Sequence, residues 1–223
     1  GEYTITATAA PGGSTDTATT TLHDRSTDAL SVYTTADADS DAFTSAPAVK
    51  KAIANGTFTR TETVTEEETV VYAIDASGLA GYVAVDGDGL ATGADLDALD
   101  GLGFAVSTAP QADTEPAIVA TAAGTAVFSH ETGLFLVGNA SDTLGEPEGQ
   151  ELVATFDVVD GRLRAAAEID SDGAHAVSAP MSYTTTTDSL DETDESEEES
   201  SGETDTVDGS GGGSEDTGSE SVE

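Results

Sequence analysis

Residues 3–8, "YTITAT", alternate strictly, which places Tyr3, Ile5 and Ala7 on one face of a strand. "APGGS" then supplies turn residues and "DTATTTL" returns, so residues 1–25 read as a hairpin. An isolated two-stranded hairpin is marginal in water. It is therefore expected to pair with something outside itself, either the rest of a preceding module or a neighbouring subunit.

Further short β-rich runs recur between turn signals across residues 26–186: "ALSVYTT", "ETVVYAIDA", "AIVATAAGTAVF", "GLFLVGN", "ELVATFDVV", "RLRAAAEI" and "AVSAPMSYT". That spacing predicts an all-β protein, an immunoglobulin-like β-sandwich. Asp160-Gly161 suits a two-residue type I′ turn, which sets a register in which Val159 faces Arg162. One face then carries Leu152/Ile169, Ala154/Ala167, Phe156/Ala165 and Val158/Leu163, and the other sets Asp157 against Arg164. A slip of one residue would turn the apolar set outward.

One short helix is predicted in "SAPAVKKAIANG". Ser45 stands at the cap, Pro47 suits the first turn, and Asn55-Gly56 suits a left-handed stop. Val49, Ala52 and Ile53 would face the sandwich while Lys50 and Lys51 project away. "DLDALDGLG" reads as a further helical turn.

Charge changes the picture. The chain holds 44 acidic and 6 basic residues, a formal charge of −38. From Thr187 onward there are 15 acids, no bases and no aromatics, so residues 187–223 have little apolar surface to offset the entropy of ordering. They are read as a disordered acidic, Ser/Gly-rich spacer. The remainder still carries −23. Self-repulsion of that size strains a compact state in dilute buffer. In molar salt the Debye length falls to about 3 Å and surface carboxylates are screened. The composition thus points to a protein built for brine, and against nucleic acid or anionic headgroups as partners. The chain has no Cys, and neither a signal peptide nor an apolar transmembrane run occurs in it, so a secreted product would be a processed form or a fragment.

From about Ala48 to Leu163 the sequence resembles the module of haloarchaeal cell-surface glycoproteins of the S-layer type. The stretches that carry the resemblance are "AIANGTFTRTETVTEEETVVYAIDASGLAGYV", "GLFLVGNASD" and "EPEGQELVATFDVVDGRL". Such proteins run from immunoglobulin-like repeats into an acidic or Thr-rich spacer and end in a hydrophobic anchor, which this sequence does not contain. The resemblance implies a structural envelope role without catalysis, on the extracellular side. Neighbouring copies or other envelope proteins would be its partners, with the membrane reached only through such an anchor.

The two asparagines, Asn55 and Asn139, both lie in sequons, "NGT" and "NAS", and are candidate glycosylation sites. Each also has a plain structural reading, as helix stop and turn residue. Thr-rich "TATTTL" and "SYTTTTDS" suit O-glycans, but strands favour Thr in any case. In the Gly-rich segment "DGDGLATGADLDALDG", Asp86, Asp88, Asp95 and Asp97 form a candidate calcium site, or simply a solvated acidic surface. No other cofactor is indicated. His23, His130 and His175 lack metal-ligand spacing. Ser129-His130-Glu131 cannot form a triad, because neighbours on a strand face opposite sides. An alternative to the envelope reading is a filament or adhesion subunit that assembles by β-strand addition. A carbohydrate-binding domain ranks last, since Trp is absent.

Overall fold

The computed structural model describes residues 2–8, 15–21, 24–79, 90–112, 114–144, 149–167 and 175–185. The chain divides into two units, Gly1–Ser189 and Leu190–Glu223, and the described residues all belong to the first. The spacer lies outside the described residues, apart from its approach at Thr184 and Thr185.

The described residues of the first unit form three sheets. β1 (Glu2–Thr8) and β2 (Thr15–Thr21) form an antiparallel pair with no third strand among the described residues. One five-stranded sheet is ordered β4 (Thr59–Arg60), β3 (Ala29–Thr35), β6 (Thr69–Asp75), β10 (Gly133–Asn139), β9 (Ala126–His130). The other is ordered β5 (Thr63–Thr65), β12 (Ala176–Thr184), β11 (Glu151–Val158), β7 (Leu102–Thr108), β8 (Ile118–Thr121). The two larger sheets pack face to face, so the expected all-β sandwich is present. Val32, Tyr72, Ile74, Leu134 and Leu136 of one meet Phe104, Val106, Leu152, Phe156 and Met181 of the other in one core.

The helix lies where the pattern places it. α1 (Ala46–Ala54) buries Val49 and Ala52, half-buries Ile53 and leaves both lysines exposed. Ser45 takes the cap position without a side-chain hydrogen bond, and Gly56 rather than Asn55 adopts the left-handed conformation, at φ +81°. α1 covers the outer face of the β4-β3-β6-β10-β9 sheet, where Phe43, Phe58, Val71, Phe135 and Val137 form a second cluster. β6 and β10 are consequently buried on both faces, which is why they read as unbroken apolar runs whereas β11 alternates.

Three expectations need correction. The Asp160-Gly161 hairpin is absent. Gly161–Ala165 is a short helix, and Asp160 Oδ1 accepts hydrogen bonds from the backbone N–H groups of Arg162 and Leu163. An Asp at the cap and the helix-favouring run Arg-Leu-Arg-Ala-Ala outweigh the turn propensity. The apolar face of β11 is as expected, but its partners are not: Phe156 lies opposite Val177 and Phe104, and Asp157 opposite Ala176 and Gly103. Ile169 lies outside the described residues.

The run "AIVATAAGTAVF" is two strands, not one. A 3₁₀ turn at Ala122–Gly124, fastened by Ala123 N–H to Thr121 Oγ1, passes the chain from β8 in one sheet to β9 in the other. Only the start of "DLDALDGLG" is helical (Gly93–Asp97), and its end enters β7.

Pro180 is accommodated inside β12 by local geometry. Ser182 N–H donates to Glu62 O on the β5 side, so the Pro180 nitrogen points to the same edge, beyond the last β5 pairing.

Candidate functional site

The two sequons have different surroundings. Asn55 follows the last residue of α1 and is exposed. Its Oδ1 accepts from both the backbone N–H (3.1 Å) and the hydroxyl (2.9 Å) of Thr57, the third sequon residue. Gly56 between them has open space on its Cβ side. Asn139 is half-buried at the end of β10, opposite Thr69. Its Nδ2 donates to Asp142 Oδ2 (3.3 Å), its Oδ1 receives the Thr69 hydroxyl (3.5 Å), and its carbonyl accepts the Thr143 hydroxyl (2.7 Å). The next residue, Ala140, is wholly buried and donates its N–H to Glu68 O.

The proposed calcium ligands are not brought together among the described residues. Asp86 and Asp88 lie outside them. Asp95 Oδ2 is occupied by the N–H of Thr92 (2.8 Å), the hydroxyl of Thr92 (2.9 Å) and the N–H of Ala91 (3.2 Å). Those donors, the Thr92 backbone foremost, hold its carboxyl below the usual carboxylate range. Asp97 instead accepts from the Thr121 hydroxyl at 2.9 Å. No three His, Asp or Glu side chains converge as a metal-binding group among the described residues.

His23 lies outside the described residues, and the other two histidines are separate. His130 packs on Phe135 with ring centroids 4.6 Å apart. Burial, then Lys50, holds it below its ordinary pKa, with Asp75 opposing.

His175 belongs to a contact that sequence reasoning missed. Arg25 is 4% exposed and donates to Leu163 O (2.8 Å), Thr27 Oγ1 (2.6 Å) and His175 Nδ1 (2.7 Å). A guanidinium has donors only, so Nδ1 accepts and His175 carries its proton on Nε2. Burial, with Arg164 nearby, holds Arg25 below its ordinary pKa. Arg25 meets no carboxylate among the described residues, although the chain has 44. It fastens the segment after the first hairpin to the Gly161–Ala165 helix and to the start of β12. The scarcity of bases was the only signal available for it.

The hairpin has two unlike faces. Tyr3, Ile5 and Ala7 lie opposite Thr20, Ala18 and Asp16, whereas Thr4, Thr6 and Thr8 on the other face lie opposite Thr19, Thr17 and Thr15. Every residue of both strands is exposed, Tyr3 by 55% and Ile5 by 60%.

No protein-family model matches the sequence, and no curated protein or solved structure matches it either.

Proposed function

We propose that this chain is a non-catalytic structural component of a haloarchaeal cell envelope, a surface glycoprotein whose immunoglobulin-like sandwich projects on an acidic stalk. The observation that carries the reading is the charge. With 44 acids against 6 bases, most carboxylates can have no Lys or Arg of this chain as a partner. Carboxylates left to solvent need screening ions, and at high concentration they hold a hydrated layer. The mechanism is mechanical and electrostatic: the sandwich offers lateral contacts, and divalent cations bridge acidic neighbours. A glycan on at least one of the two sequon asparagines, Asn55 and Asn139, would thicken the layer.

Expression of the full gene in a halophilic archaeon tests this. Protease shaving of intact cells should release peptides of this chain into the medium. Recovery of the chain in the cytosol alone would refute the reading.

A second reading is favoured by the bare hairpin: a filament or adhesion subunit in which β1 and β2 complete a neighbour's sheet. Among the described residues no strand pairs with either edge of the hairpin, and Tyr3 and Ile5 on its apolar face are exposed. Deletion of residues 1–22, which spares the buried Arg25, would disperse such a filament. In the envelope reading the sandwich remains folded and assembly is unchanged.

A further inference from the structure

We infer that Asn55 is the glycan acceptor of the folded chain and that Asn139 is a structural joint that stays unmodified, an inference that rests on the envelope reading. The two tripeptides are equivalent as sequence and differ in what holds the reacting nitrogen.

In N-glycosylation the side-chain nitrogen attacks the anomeric carbon of an activated glycosyl phosphate ester. The new C–N bond forms as the C–O bond to phosphate breaks; phosphate leaves with the electron pair, and a base of the transferase takes one amide proton. The acceptor nitrogen must therefore be reachable, and the product must have room for a bulky sugar. At Asn55 both requirements are met. The two Thr57 donors engage Oδ1, which orients the amide and leaves Nδ2 without a protein acceptor among the described residues. Asn55 is itself exposed, and nothing lies within 4 Å of a Cβ position on the neighbouring Gly56. Attachment of the sugar leaves the Oδ1 contacts intact.

At Asn139 the same reaction meets obstacles. Nδ2 is engaged with Asp142, the residue is half-buried, and it stands between two packed neighbours. A Cβ at Gly138 would lie 2.6 Å from Thr143 Cγ2 and 2.9 Å from Gly124 O, so this junction has no slack. Its amide instead ties the end of β10 to the Ala140–Leu144 helix and to Thr69 of β6.

The test is peptide mapping by mass spectrometry of the full chain purified from a glycosylating halophilic host. Sugar is expected on the Asn55 peptide, lost in N55Q and retained in N139Q, with the Asn139 peptide bare. N139Q should lower the melting temperature by more than N55Q, whose lost contacts to Thr57 are local and exposed. Sugar on Asn139, or a bare Asn55, overturns the inference. Protease shaving of the same cells separates the failures: a surface-exposed chain with bare Asn55 sinks the site assignment alone, whereas a cytosolic chain sinks the envelope reading with it.

Discussion

Tyr72 of β6 and Phe104 of β7 meet across the sandwich with ring centroids 4.8 Å apart and planes inclined at 56°. They join strands of different sheets. The Tyr72 hydroxyl is buried, has no hydrogen-bond partner among the described residues, and titrates far above its ordinary value because burial disfavours the phenolate. An unpaired buried hydroxyl costs stability, so Tyr72→Phe should leave stability unchanged or raise it by about 1 kcal/mol. Phe104→Ala should lose about 3–5 kcal/mol. Chemical denaturation of both variants checks this, and a large loss in Tyr72→Phe would show that the hydroxyl has a partner.

Asp160→Ala should destabilise the body by removing the acceptor of the Arg162 and Leu163 N–H groups. The Arg162 side chain first, then those N–H groups, lowers the Asp160 carboxyl from its ordinary value of 3.8. A depressed carboxyl contributes stability that is present above that value and disappears as pH falls through the lower folded value. Melting curves of wild type and Asp160→Ala should therefore differ at neutral pH and converge in strong acid. In the hairpin register the side chain would have no such role.

Gly133 opens β10 opposite Asp75, and a Cβ there would land on the Ile74 carbonyl oxygen. Gly133→Ala should cost about 1–3 kcal/mol, since backbone on both sides must shift. The same substitution at Gly161, where nothing lies within contact, should be far milder. A comparison of denaturation midpoints decides it.

Reducing salt from molar potassium chloride to millimolar levels should unfold the sandwich, because exposed carboxylates are then unscreened. Far-UV circular dichroism reads the loss of β signal. A full signal at low salt would remove the main support for a saline habitat.

Chelation of calcium at constant high salt should leave the melting temperature unchanged as far as Asp95 and Asp97 are concerned, since the donors they accept belong to the protein. A drop that Asp95→Asn and Asp97→Asn also reproduce would restore a calcium site.

What the sequence determined by itself was local. The runs that became β1, β3, β6, β10, β11 and β12, the stretch that became α1, and the inward set Leu152, Ala154, Phe156, Val158 were legible because side-chain direction follows from a two- or 3.6-residue period. The period in Leu102, Phe104 and Val106 was equally present, but it was masked by the acidic helix-like run before it. Tertiary structure decided what those faces met. β11 can pair with any strand of suitable pattern, and only competition among distant segments chose β7 and β12 over the chain that follows it. The same competition freed Gly161–Ala165 to be a helix, split residues 117–128 between sheets, and buried Arg25 against His175. It also separated the two sequons: folding half-buries Asn139 beside Thr69 of β6, whereas Asn55 is exposed and keeps only the local contact to Thr57.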